Sequence, residues 1–300
     1  AMIWLSAVAS NNISAQPGST GSPKKQWRVE AESPNSRVEW RGDTVEIHAP
    51  KGLTLWNRNK MKGNVVIEYR AMVVDGCKEG EGVGGACMRH DGDDRLSDLN
   101  CFWMASDPSA PDIWTRMKWR GGKFVNTYSM QLYYVGFGGN YNSTTRFRRY
   151  TGDERGVDST AYRPGILREY TDTAHLLRPN HWYDIRLESI DGRVRYFIDG
   201  EMLVDYLDPD PLREGWFGLR TTWAHVIMCG FKYKEDNPDS RPIALHWIGN
   251  AERQDKSGLP VTSTVGVPFG KGEVTESTPM ALTTPQGEDI PFDRWTLAHW

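Results

Sequence analysis

The side chains that could do chemistry are arginines, aromatics and amides on short alternating stretches. Asp98 and Asn100 are two residues apart and so share one face of a strand. Tyr133, Tyr134, Asn140 and Asn142 bracket a glycine-rich turn, Gly136-Phe137-Gly138-Gly139-Asn140. Arg146 and Arg148 share a face opposite Phe147. Arg220 follows Gly218-Leu219, with Trp223 and His225 just beyond. Rings that stack and planar polar groups that hydrogen-bond are what a sugar-binding surface needs. Arginine rather than lysine suits a sugar bearing a carboxylate, because the guanidinium fork takes both oxygens. The expected partner is a polysaccharide or oligosaccharide containing a uronic acid. Each residue also has a bland reading. Arg146 and Arg148 would pair with Asp153 or Glu154, and Tyr133 and Tyr134 would be core.

Catalysis has less behind it. A retaining glycosidase needs two carboxyls about 5–5.5 Å apart. Asp184 and Glu188 share a strand face, but strand rise separates them by about 13 Å. Asp98, Tyr134 and His225 are the candidates for acid–base work on a sugar, alongside Arg146 and Arg220 as charge neutralisers. The alternative to a recognition surface is thus a hydrolase or lyase built from an Arg/Tyr/His/Asp groove. For Asp98 itself the competing role is a turn ligand at a strand start.

Metal and thiol chemistry lack a motif. His90-Asp91-Gly92-Asp93-Asp94 is an oxygen-rich run without the spacing or glutamate of an EF-hand loop. No metal site is expected and no cofactor is predicted; a structural calcium ion is the one exception left open. Cys77 and Cys87 sit ten apart in a glycine-rich stretch and could close as a local disulfide in an oxidising compartment. Cys101 and Cys229 lie within apolar strand patterns and read as buried free thiols. No phosphate-binding glycine loop and no nucleophile elbow occur.

The elements that must position these residues are strands. The stretches 64–74, 97–105, 130–137, 143–150, 182–189, 193–198, 201–206, 216–222 and 226–233 alternate or are apolar on both faces. Asp191-Gly192 and Asp199-Gly200 are hairpin turns. Arg41-Gly42-Asp43 reads as a turn within the 38–48 hairpin rather than an adhesion signal. Helical periodicity is nearly absent, apart from one short turn at 172–177. Thirty glycines and 34 aromatics in 300 residues fit a β protein with aromatic surfaces. A net charge of −3 excludes a basic nucleic-acid coat. No apolar run is long enough to span a membrane.

The first residues, Met2 to Ala9, form an apolar run, followed by Asn11 to Gln16 with the small Ala15. This reads as a secretory leader that has lost its basic start, which implies a secreted, periplasmic or cell-surface protein. An apolar N-terminal strand or an artificial addition is the alternative. Residues 16–25 are a polar linker.

The runs His181 to Pro209 and Gly215 to Tyr233 resemble the late strands of concanavalin A-like sandwiches, shared by laminin-G-type domains and family-16-like glucanases. The Glu-x-Asp-x-x-Glu strand motif of those glucanases is missing. Ser97 to Pro108, Arg116 to Phe124, Leu132 to Tyr150 and His175 to Leu187 are similar to a bacterial domain family of unknown function with this fold. The likeness spans roughly residues 26–236. It implies an all-β, jelly-roll sandwich in an extracellular sugar context.

After a linker at 237–242, Ala244 to Glu252, Gly266 to Glu273, and Ile290 to Trp300 resemble the N-terminal β-barrel of exo-rhamnogalacturonan-lyase-like proteins. About 60 residues cannot close such a barrel alone. Residues 243–300 are therefore expected to be an incomplete second β domain, in a fragment lacking the family's catalytic domain. The combined expectation is a carbohydrate-recognition sandwich attached to a pectin-lyase-like protein.

Overall fold

The computed structural model describes residues 23–75 and 94–236, with further backbone strands at Trp4–Val8, Ile243–His246, Ala281–Thr283 and Asp289–Ile290. The Cys77–Cys87 pair and His90 to Asp93 lie outside the described residues. The chain divides into two compact units, Ile13–Asp236 and a second made of Ala1–Asn12 with Asn237–Trp300.

In chain order the strands are β1 (Trp4–Val8), β2 (Trp27–Ala31), β3 (Arg37–Arg41), β4 (Thr44–Ala49), β5 (Leu53–Asn57), β6 (Met61–Lys62), β7 (Asn64–Val74), β8 (Leu99–Ser106), β9 (Gln131–Gly138), β10 (Thr144–Thr151), β11 (Arg168–Tyr170), β12 (Tyr183–Ile190), β13 (Arg193–Ile198), β14 (Glu201–Leu207), β15 (Glu214–Thr221), β16 (Ala224–Asp236), β17 (Ile243–His246), β18 (Ala281–Thr283) and β19 (Asp289–Ile290). The larger unit is a sandwich of two antiparallel sheets. One has eight strands, in the order β11-β10-β9-β8-β15-β5-β2 with β6 added beside β15. The other has seven, in the order β14-β13-β12-β7-β16-β4-β3.

The alternation seen in the sequence is the reason for the two layers. On β4, Val45, Ile47 and Ala49 are buried while Thr44, Glu46 and His48 are not. On β7, Val65, Ile67, Tyr69, Ala71 and Val73 point the same way into the centre. They meet Cys101 and Trp103 of β8 and Tyr133, Val135 and Phe137 of β9. The Asp191-Gly192 and Asp199-Gly200 hairpins have positive φ at both residues, the backbone that two-residue turns between twisted strands require. Cys101 is a buried free thiol, whereas Cys229 is only partly buried.

Strand β8 is buried on both faces, and the segment from Asp107 to Met130 explains it. This segment contains one helical turn, α1 (Met117–Arg120), and lies over the outer face of the eight-stranded sheet. It brings Ile113, Tyr128 and Met130 against Trp56, Phe102, Tyr134 and Tyr150, with Trp114 and Phe124 at the margin. A second apolar cluster thus fills part of the face where an open groove was expected.

In the smaller unit β17, β1, β18 and β19 form one antiparallel sheet. Trp4 pairs with His246 and Ala7 with Ile243. Trp4–Val8, within the N-terminal apolar run, forms strand β1.

Candidate functional site

Registration across the eight-stranded sheet lines up a polar row. Arg146 faces Gly136, Gly136 faces Asn100, Asn100 faces Arg220, Arg220 faces Thr54, and Thr54 faces Glu30. Directly paired residues share a face, so these side chains project together on the outer side of the sheet. The next row holds Arg148, Tyr134, Phe102, Gly218 and Trp56. Phe147 packs inward, as the alternation on β10 requires.

Arg220 is the centre of the polar row and is buried. Its Nη1 donates to the Gly122 carbonyl at 2.8 Å and to Thr54 Oγ1 at 3.2 Å. Its guanidinium lies 5.3 Å from the Phe124 ring centre. Burial lowers its pKa, and the fields of Tyr134, Asp98 and Glu30 oppose that. Asp98 Oδ1 accepts from Asn100 Nδ2 at 3.1 Å, and its Oδ2 accepts from Ser97 Oγ at 2.7 Å. Burial raises the Asp98 carboxyl above its ordinary value; the two hydrogen bonds and the charges of Arg220 and Arg95 pull the other way.

Arg95 completes the cluster, and sequence reading missed it. Its guanidinium sits between two rings, 4.1 Å from the centre of Tyr141 and 4.5 Å from that of Trp223. Its backbone N–H donates to the Trp223 carbonyl at 2.9 Å. Arg95 is almost fully buried, and its Nε has no hydrogen-bond partner among the described residues. Asp98, Asn140, Tyr141, Asn142 and Trp223 all have positive φ, between 50° and 61°. That backbone is uncommon for a non-glycine residue and costly for a bulky one such as Trp. These five strained residues sit where β8 begins, β9 ends, β10 begins and β15 ends, at one end of the sheet.

Several expected contacts lie elsewhere. Tyr133 points between the sheets, where its hydroxyl donates to Asp208 Oδ2 at 2.7 Å and accepts from Leu212 N–H at 3.0 Å. Strand β9 is buried on both faces, so alternation alone could not say which tyrosine turns inward. Tyr134 does face outward, but it is packed by Phe102, Phe124 and Tyr150. Arg146 pairs with Glu169 at 2.5 Å, and Arg148 donates to the Pro164 carbonyl, so neither pairs with Asp153 or Glu154. Asp153 is instead held by Arg155. Asn142 spends its amide on the Leu177 backbone, with Nδ2 on the carbonyl and Oδ1 on the N–H. Asn140 is exposed and donates to Ser143 Oγ.

His225 is not in this cluster. It lies on β16 in the seven-stranded sheet, between the inward-facing Ala224 and Val226, and so projects from that sheet's outer face. The groove that would have combined His225 with Asp98, Tyr134 and the arginines does not form. Glu30 offers no second carboxylate either. It accepts from Trp56 Nε1 at 3.1 Å, from Arg120 at 2.9 Å and from Gly122 N–H at 3.2 Å.

Comparison with solved structures gives distant alignments only. A protein of unknown function with a galectin-like fold from Bacillus subtilis aligns with 13% identity and a TM-score of 0.49, over 70% of this chain and 90% of that one. The carbohydrate binding module CBM66 from Bacillus subtilis aligns with 13% identity and a TM-score of 0.43, over 70% and 96%. The exoplasmic/lumenal domain of VIP36 aligns with 12% identity and a TM-score of 0.44, over 71% and 86%. No curated protein sequence matches the chain. Residues 241–300 match the PcRGLX-like N-terminal RIFT barrel domain. Residues 47–231, which include most strands of both sheets together with Arg95, Asp98, Asn100 and Arg220, match the domain of unknown function DUF6250, and the chain belongs to that family.

Proposed function

We propose that the sandwich is an extracellular carbohydrate-recognition domain that takes acidic glycans at the Arg95–Asp98–Asn100–Arg220 end of the eight-stranded sheet. The observation that carries this reading is Arg95 held between Tyr141 and Trp223 beside Asp98. It joins fixed positive charge to aromatic surface where the backbone is most strained. Guanidinium groups recognise a sugar carboxylate, an acid and an amide recognise hydroxyls, and ring faces recognise the apolar side of a pyranose. The adjoining RIFT-barrel match supports a role beside rhamnogalacturonan-lyase-like chemistry. A secreted, periplasmic or cell-surface setting follows from such a substrate. The catalytic alternative retains one supporting fact, the raised pKa of Asp98, which favours a proton donor.

The test is calorimetric titration of the full chain with rhamnogalacturonan and oligogalacturonate oligosaccharides, against neutral oligosaccharides. Product sugars are followed in the same samples. Binding confined to acidic oligomers, without product, and weakened at least about tenfold by Arg95→Ala and by Trp223→Ala is the expected result. Equal binding of neutral and acidic oligomers, or unchanged affinity in both variants, would overturn it. Turnover lost in Asp98→Asn would replace recognition with catalysis.

A further inference from the structure

The outer face of the seven-stranded sheet carries a second cluster, unrelated to the glycan site. Glu46 and His48 are two residues apart on β4 and share its outer face. His225 on β16 lies directly opposite His48 in the antiparallel register. The two imidazoles stack, with ring centres 4.0 Å apart and planes inclined by 23°. The Nε2 atoms of both rings face the same carboxylate oxygen. His225 Nε2 is 2.9 Å and His48 Nε2 is 3.6 Å from Glu46 Oε1. All three donor atoms lie within 4.8 Å of one another. Arg41 approaches the other oxygen, Oε2, at 3.6 Å and leaves Oε1 to the histidines. The hydrogen bond from His225 is the main reason that the Glu46 carboxyl is lowered from its ordinary value.

We propose that Glu46, His48 and His225 form a binding site for one divalent transition-metal ion of the zinc class. Two imidazoles and one carboxylate are a zinc ligand set, and bonds of 2.0–2.2 Å in a tetrahedron place donor atoms about 3.3 Å apart. The two separations fall on either side of that spacing, and the stacked imidazoles reach the ion by turning about their side-chain torsions until both Nε2 lone pairs converge on it. Calcium and magnesium prefer sites made of oxygen, which two imidazoles do not provide. The three side chains are about one-fifth exposed, at 19, 19 and 23%. Water would complete the tetrahedron as the fourth ligand. Zinc on His225 Nε2 takes the place of its hydrogen bond to Glu46 Oε1 and requires the tautomer that carries the ring proton on Nδ1. The site also ties β4 to β16 across the sheet.

The experiment titrates the full chain, free of any affinity tag, with zinc chloride by calorimetry. Cobalt(II) serves as the spectroscopic probe. The expected result is one zinc ion per chain and the visible absorption bands of four-coordinate cobalt. His48→Gln and His225→Gln each weaken zinc binding at least about tenfold, while His90→Asn leaves it unchanged. Circular dichroism checks folding, and Glu46→Gln gives the same reading if a histidine variant does not fold. No zinc binding, or binding that survives in the variants or is lost only in His90→Asn, overturns the proposal.

Discussion

Glu30 and Arg120, 90 residues apart in sequence, meet at 2.9 Å with both side chains sealed from solvent. Arg120 also donates to the Ile113 carbonyl at 2.5 Å and lies 3.6 Å from Asp107. Glu30 reaches in turn to Trp56 and to the Gly122 N–H. The pair fastens the 107–130 segment to β2 and β5, and with it the Gly122–Phe124 stretch that contacts Arg220. Removing one partner of a buried pair leaves the other charge uncompensated, at a cost of about 3–5 kcal/mol. Arg120→Met should lower the stability found by urea denaturation by about that much. A loss below about 1 kcal/mol would show that the segment is not held by this pair.

Gly218 allows Trp56 and Phe102 to touch. It stands between them in the register, and the two rings stack over it with centres 5.7 Å apart and planes 19° from parallel. A Cβ at this position would lie 2.7 Å from Trp56 Cε3. Gly218→Val should cost about 1–3 kcal/mol by overpacking. It should also alter the near-ultraviolet circular dichroism of the rings. An unchanged spectrum with an unchanged midpoint would mean that the rings can part without penalty.

Much of this architecture was legible in local pattern, and the failures have physical causes. Alternation on β10 placed Arg146 and Arg148 opposite Phe147, and the Asp-Gly pairs marked two hairpins. Alternation cannot say which sheet a strand joins, so His225 was grouped with residues on the other sheet. Nor can it orient Tyr133 and Tyr134 on a strand buried on both sides. The cover over the outer face was hidden for a different reason. Met117-Lys118-Trp119-Arg120 reads as polar, and only long-range pairing with Glu30 shows Arg120 to be interior. Arg95 stands outside any strand, and nothing local signals that Tyr141 and Trp223 close on it.

Asp98 should make stability depend on pH in a defined sense. Burial raises its carboxyl above the ordinary 3.8. Below the unfolded value both states are protonated and the group costs nothing. As pH rises through the folded value, the folded state must hold a charge that burial disfavours, and stability falls. Asp98→Asn removes that cost while keeping the shape and an acceptor for Asn100. The variant should melt at a higher temperature than the parent at neutral pH, and the gain should vanish in acid. The lowered carboxyls of Glu46, Glu68 and Asp205 weaken both proteins alike on acidification and cancel in the difference. A gain independent of pH would mean that the charge of Asp98 is not the cause.

Tyr133 separates a structural tyrosine from a ligand contact. Its hydroxyl bridges Asp208 and the Leu212 N–H, while Arg149 Nε holds the same Asp208 oxygen at 3.1 Å. Burial, with Asp208 close by, pushes the phenol pKa up, so the hydroxyl stays a donor throughout the ordinary pH range. Tyr133→Phe leaves the Leu212 N–H without its acceptor and Asp208 without one donor. Stranded groups of this kind cost about 1–3 kcal/mol. The variant should therefore lose stability by about that amount in urea while binding acidic oligosaccharides as tightly as the parent. Lost glycan affinity in a variant still fully folded at the assay temperature would place Tyr133 in the binding surface, against its inward position in the sandwich.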